Sequence, residues 1–141
     1  MSRCWADFYV GLQFHPERNN CWSLVRKVFL DELDIDLPDH AEISADQLLI
    51  IARTMVRNAN IAPWVRVERP EPFDVVLMSG LSAASPRAPV HVGVIVSPLL
   101  MLHTSQETQA SCVVALGNLM IRSRIQGFYR HERLATHSGR P

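Results

Sequence analysis

The apolar residues of this chain change their period once along its length, and that change limits the folds open to it. From Trp22 to Leu33 they recur at three- and four-residue spacing: Trp22, Val25, Phe29 and Leu33, with Leu24 and Val28 beside them. This is the stripe of an amphipathic helix that begins at Cys21, with Asn20 or Asn19 as its cap. Ser44-Ala45-Asp46-Gln47 has the form of a capping box, and Leu48, Ile51, Ala52 and Met55 then line one face. A second helix is therefore predicted from Ser44 to near Asn58–Asn60, before Pro63. Beyond Arg69-Pro70-Glu71-Pro72 the period becomes strand-like, first in Phe73-Asp74-Val75-Val76-Leu77-Met78 and then, after a Ser-, Ala-, Gly- and Pro-rich loop from Ser79 to Pro89, in Val90 to Val96. Further strands are predicted at Leu100 to Ser105, Ser111 to Leu116 and Ile121 to Tyr129. Helices first and antiparallel strands after is the order of an α+β fold, with N-terminal helices packed on an antiparallel sheet. Residues 1–131 read as a single domain and the polar residues 132–141 as a flexible tail.

Composition agrees with one packed domain: of 141 residues, 48% are hydrophobic and only 20% charged. Fourteen basic residues balance fourteen acidic ones, so net charge gives no reason to expect a nucleic-acid partner. The N-terminus lacks the apolar core and cleavage site of a secretory signal, and no apolar run reaches the length of a membrane span. These features predict a protein made in the cytoplasm without membrane insertion. Cys4, Cys21 and Cys112 form neither a disulfide framework nor a zinc pattern, and free thiols are expected.

One thiol stands apart. Cys21 sits where the predicted helix starts, and unpaired first-turn N–H groups together with the helix dipole favour a thiolate there. A base is available on the strand Val90-His91-Val92-Gly93-Val94-Ile95-Val96, whose valines take one face and His91, Gly93 and Ile95 the other. Ser97-Pro98 is a natural turn, so this strand and the next form a hairpin. Pairing Ile95 with Leu99 sets His91 directly across from His103, and a register slip of two still leaves both on one face. Gly93 leaves room for the helix start that carries Cys21. Nucleophile, base and orienting group would then form a triad, with the Cys21 N–H facing a developing oxyanion.

Each element alone has a plainer meaning: a buried inert cysteine, a hydrogen-bonded structural histidine, a polar residue on a half-exposed strand. The three together favour catalysis. Zinc held by Cys21, the two histidines and one of His15, His40 or His131 is the weaker alternative, since no short ligand spacing links them; neither metal nor cofactor is expected. Cys112, within a strand, reads as packing and Cys4 as incidental. Asp74 reads as a turn or strand-start carboxylate. Arg122, Arg124 and Arg130 read as a solvated strand face that would meet an acidic substrate only if it bordered the cleft.

In their order, these motifs resemble the NlpC/P60 family of papain-like cysteine peptidases. The matching pieces are Tyr9-Val10-Gly11-Leu12-Gln13-Phe14, Asn20-Cys21-Trp22-Ser23-Leu24-Val25, Pro72-Phe73-Asp74-Val75-Val76-Leu77, His91-Val92-Gly93-Val94-Ile95-Val96 and Met101-Leu102-His103. The resemblance implies an endopeptidase cutting peptidoglycan stem peptides, typically next to a D-glutamyl residue, with Cys21 as nucleophile, His91 as base and His103 as the orienting residue. Phe14-His15-Pro16-Glu17-Arg18, Trp22 and the ending Gly127-Phe128-Tyr129-Arg130-His131 resemble the subgroup of phage tails and gene transfer agents. That implies tail-tip or hub partners and a site of action in the host periplasm or cell wall. Three positions depart from the family pattern: Asn20 for Asp, Trp22 for Ser, and Phe14 where an oxyanion-site Tyr is expected. Either Tyr9 substitutes for that Tyr or the backbone acts alone. A structural plug or adaptor with the same fold and little hydrolytic activity is the alternative function.

Overall fold

The computed structural model describes residues 4–15, 18–38, 63–79 and 89–134. The helix expected from Ser44 and most of the loop expected from Ser79 to Pro89 lie outside them. After a 3₁₀ turn at Trp5–Tyr9 comes helix α1, Cys21–Leu33. Asn20 is the cap: its side chain accepts from the Ser23 N–H at 3.0 Å, and the Ser23 hydroxyl accepts from the Asn20 N–H at 2.6 Å. That reciprocal pair is a capping box, which fixes the first helical residue as Cys21. At the other end Asp34 takes the left-handed conformation (φ 56°), and the N–H of Ile35 reaches back to the Phe29 carbonyl at 3.1 Å.

Six strands follow: β1 Trp64–Val67, β2 Val75–Ser79, β3 Pro89–Ser97, β4 Leu100–His103, β5 Cys112–Ala115 and β6 Ile125–His131. They form one sheet in the order β1-β6-β2-β3-β4-β5, every pair antiparallel. A short helix α2, Leu119–Arg122, precedes β6. Both faces of the sheet are covered. On one, α1 places Leu24, Val25, Val28 and Phe29 against Val75, Leu77, Val92, Val94 and Leu102. On the other, Val76, Met78, Ile95 and Met101 meet Leu116 and Ile121. This is why every residue of β2 is buried and Val75 to Met78 form a continuous apolar run instead of an alternation.

Two sequence expectations change. Ile121 to Tyr129 is not one strand: the Asn118 side chain caps α2 by accepting from the Met120 N–H at 2.9 Å, and β6 begins only at Ile125 and runs on to His131. Trp64–Val67, too short to stand out between Pro63 and Glu68, is a strand because β6 pairs with it. Beyond β5 the N-terminal segment supplies its own edge. Gly11 N–H donates to the Ser111 carbonyl at 2.9 Å, Ser111 N–H to the Leu12 carbonyl at 2.9 Å, and Phe14 N–H to the Gln109 carbonyl at 2.8 Å. The buried Ser111 hydroxyl donates to the Tyr9 carbonyl and accepts from the Leu12 N–H. The chain entering α1 is thus tied to the residues that lead into β5. Among the described residues no helix is long and apolar enough to cross a membrane.

Candidate active site

Cys21 is the first residue of α1, and α1 lies on β3 through the apolar contacts above. Its half-buried thiol lies where the backbone N–H groups of Val92, next to His91, and of Trp22 and Cys21 itself favour the thiolate. Burial nevertheless pushes the thiol above the ordinary cysteine value, and the three N–H groups only partly offset it. The sequence expectation of an acidified thiol is therefore corrected: the resting group is S–H, because the dry setting outweighs the helix terminus.

His91 and His103 are both buried, and His91 Nε2 lies 2.8 Å from His103 Nδ1 with the rings near perpendicular at 82°. The register differs from the one expected. Ile95 pairs with Met101 and Val94 with Leu102, so the hairpin has slipped by two, with an irregularity between Ile95 and Ser97. The pair survives because a slip of two preserves the face. Desolvation holds His91 well below the ordinary histidine range, with His103 and Arg124 adding to the effect, and His103 is lowered by desolvation and then by Arg124. Both rings are neutral near pH 7. His103 Nε2 is buried without a hydrogen-bond partner among the described residues.

Gly93 does leave space, but not for α1. A β-carbon there would lie 2.5 Å from the Met101 sulfur, so the gap is filled by the neighbouring strand. Cys21 instead reaches β3 at Val92. Tyr9 is also excluded from the reacting centre. Its hydroxyl donates to Glu32 at 2.6 Å and lies 3.3 Å from Asp31, near the C-terminal end of α1, roughly three helical turns from Cys21. Burial first and the two carboxylates second hold its phenol protonated. Of the two oxyanion donors expected from the sequence, the backbone N–H groups at the start of α1 are the ones at Cys21.

The arginines are not a common solvated face. Arg122 is exposed. Arg130 makes a two-pronged pair with the fully buried Asp74, Nε to Oδ1 and Nη2 to Oδ2 both 2.8 Å, and reaches Glu71 at 2.7 Å. Asp74 also accepts from the Glu71 N–H, so it is a buried structural carboxylate rather than an ordinary turn residue. Arg124 is largely buried and lies close enough to both histidines for its charge to act on them. Sequence reasoning missed this, since nothing in the local pattern marks Arg124 apart from its neighbours. Cys112, in register with His103 on β5, is partly buried with its thiol raised by desolvation. His131 packs between Phe29 and Trp64 at the far side of the sheet, and His15 lies in the loop before α1 against Arg18. His40 falls outside the described residues.

The sequence profile of the NlpC/P60 family matches residues 10–130. No curated protein matches the chain. Among solved structures, a protein described as similar to a lipoprotein of the NLP/P60 family from Staphylococcus aureus subsp. aureus Mu50 superposes with TM-score 0.61 at 15% identity, over 89% of this chain and 38% of that one. The NlpC/p60 domain of the peptidoglycan hydrolase SagA superposes with TM-score 0.55 at 15% identity, over 89% of this chain and 92% of that domain. At that identity the likeness is one of fold. This chain spans well under half of the Staphylococcus protein.

Proposed function

The chain belongs to the NlpC/P60 family, and on that premise we propose that it is a cysteine endopeptidase cutting the stem peptides of peptidoglycan. The observation that carries the reading is the 2.8 Å contact between the buried, neutral imidazoles of His91 and His103, one residue from the backbone N–H that holds the Cys21 sulfur. The SagA domain, whose protein is a peptidoglycan hydrolase, supports the substrate class.

In this mechanism His91 takes the thiol proton at Nδ1 while its Nε2–H donates to His103 Nδ1, which fixes the working tautomer. The S–H bond breaks as sulfur attacks the scissile carbonyl, and the oxyanion is met by N–H groups at the start of α1. The tetrahedral intermediate then expels the amine, which receives the proton from His91, and water releases the acyl group from sulfur. A buried N–H at His103 Nε2 accompanies this tautomer. Purified protein incubated with peptidoglycan fragments should release stem-peptide products under reducing conditions, and Cys21→Ala should release none. Intact stem peptides with both proteins would remove the enzymatic reading.

The setting we propose is a phage or gene-transfer-agent tail tip, with hub proteins as partners, opening the wall for DNA delivery. Its support is the run Phe14 to Arg18, Trp22 and the ending Gly127 to His131. Immunolabelling of tail particles tests it. A structural plug or adaptor is the second reading, favoured by one pair of observations: Tyr9 is committed elsewhere and the Cys21 thiol is raised. Tail particles that assemble normally with Cys21→Ala, together with parental protein that leaves stem peptides intact, would favour the plug.

A further inference from the structure

Arg124 precedes β6 and is fixed twice to Ser79 at the end of β2. Its carbonyl accepts from the Ser79 N–H at 2.8 Å, and its Nε donates to the Ser79 carbonyl at 2.9 Å. Pairing of β2 with both neighbours shifts at this point, between Leu77 and Met78 on the β6 side and between Met78 and Ser79 on the β3 side. Such bulges re-aim the groups beside them. The far end of the guanidinium lies 3.8 Å from Glu107, four residues beyond His103. In the sheet order β6-β2-β3-β4, the strand ends between these two anchors carry His91 and His103. With a side chain only 14% exposed, Arg124 is a fixed, poorly screened charge there.

We infer that Arg124 is a positioning residue for the proposed Cys21 and His91 chemistry, a clamped cation that opposes transfer of the thiol proton to His91 and is itself tempered by Glu107. The inference rests on the peptidase reading for its meaning but not for its measurement. When the S–H proton moves to His91, an imidazolium forms beside Arg124, and like charges at this range disfavour it. Burial lowers the proton affinity of both rings first, after which His103 and then Arg124 lower that of His91, and Arg124 lowers that of His103. Among the described residues, the other titratable groups around the pair are Glu107 from the β4–β5 loop, Cys112 from β5 in register with His103, and Cys21 from α1 at Val92. Of these Glu107 is the one carboxylate. The clamp keeps the thiol at rest until substrate lowers the cost of the proton transfer.

The test is the rate at which neutral iodoacetamide alkylates Cys21 at pH 6.5, read by peptide mapping so that Cys4 and Cys112 are scored separately. Arg124→Gln should raise the rate, about tenfold for a one-unit change in the proton affinity of His91. Arg124→Lys should stay near the parental rate, and Glu107→Gln should lower it, about twofold since Glu107 is half-exposed. In a His91→Ala background the Arg124→Gln effect should vanish. A merely structural role would not give opposite signs for the two partners of one ion pair. Slower or unchanged alkylation in Arg124→Gln overturns the inference, the slower case because it would mean that Arg124 stabilises the thiolate directly. If Arg124→Gln does not fold by circular dichroism, Glu107→Gln decides, and an unchanged or raised rate overturns the proposal. Failure here with stem peptides still cleaved leaves the peptidase reading standing, whereas stem peptides left intact remove that reading whatever the alkylation rates are.

Discussion

At the scale of single residues, what separates this site from an exposed thiol and histidine is dryness. Burial raises Cys21 and lowers His91 and His103, so the resting state is a neutral thiol with neutral imidazoles, and in the proposed mechanism proton transfer waits on substrate. The oxyanion site is the second residue-scale matter. With Tyr9 hydrogen-bonded to Glu32 at 2.6 Å, its hydroxyl serves the packing of the N-terminal turn on α1 and not the reacting carbonyl. Tyr9→Phe should therefore lower stability by about 1 kcal/mol in urea unfolding, since it removes the hydrogen bond of the buried Tyr9 to Glu32, while leaving stem-peptide hydrolysis per folded molecule unchanged. A large fall in the hydrolysis rate of folded Tyr9→Phe would return Tyr9 to the chemistry.

At the scale of elements, the start of α1 is the part on which most depends. Asn20 stands where the family resemblance implies Asp, and its side chain accepts from the Ser23 N–H at 3.0 Å, so the capping role needs no charge. Asn20→Ala should cost about 1 kcal/mol of stability in denaturant titration. It should also slow Cys21 alkylation, because a frayed first turn no longer holds the N–H groups on the sulfur. Unchanged alkylation with the stability lost would show that Val92 alone positions the thiol. The histidine hairpin depends on a different property. Its register is two residues away from the simplest pairing, yet the side-chain period of two keeps His91 and His103 on one face.

At the scale of the whole molecule, three buried histidines make the fold sensitive to acid. His91, His103 and His131 all bind a proton less readily when folded than at the ordinary value of 6.5. Below about that pH the unfolded chain holds more protons than the folded one, so the equilibrium shifts toward unfolding as pH falls. Stability is full above pH 6.5 and drops as pH moves down toward the folded-state values. The thermal midpoint should be flat between pH 8 and 7 and fall from 6.5 to 5, and His131→Gln should flatten the fall. A midpoint constant across that range would mean that these rings are solvated.

Much was legible in the sequence because it rests on local periodicity and local caps. The helix from Cys21 to Leu33 follows from a three-and-four apolar stripe behind Asn20, and the strands at 75–79, 89–97, 100–103 and 112–115 follow from apolar runs bounded by turn residues. The pairing of His91 with His103 followed from the same local logic, since it required only a hairpin. What the sequence could not determine is whatever joins segments far apart. The pairing of Trp64–Val67 with β6, the filling of Gly93 by Met101, the diversion of Tyr9 to Glu32, the burial of Asp74 against Arg130 and the placement of Arg124 between Ser79 and Glu107 were decided by tertiary structure alone. The physical reason is range: caps and periods are set by residues within a few positions of each other. The burial that sets proton affinities, and the partner that meets each charge, exist only once distant strands are side by side.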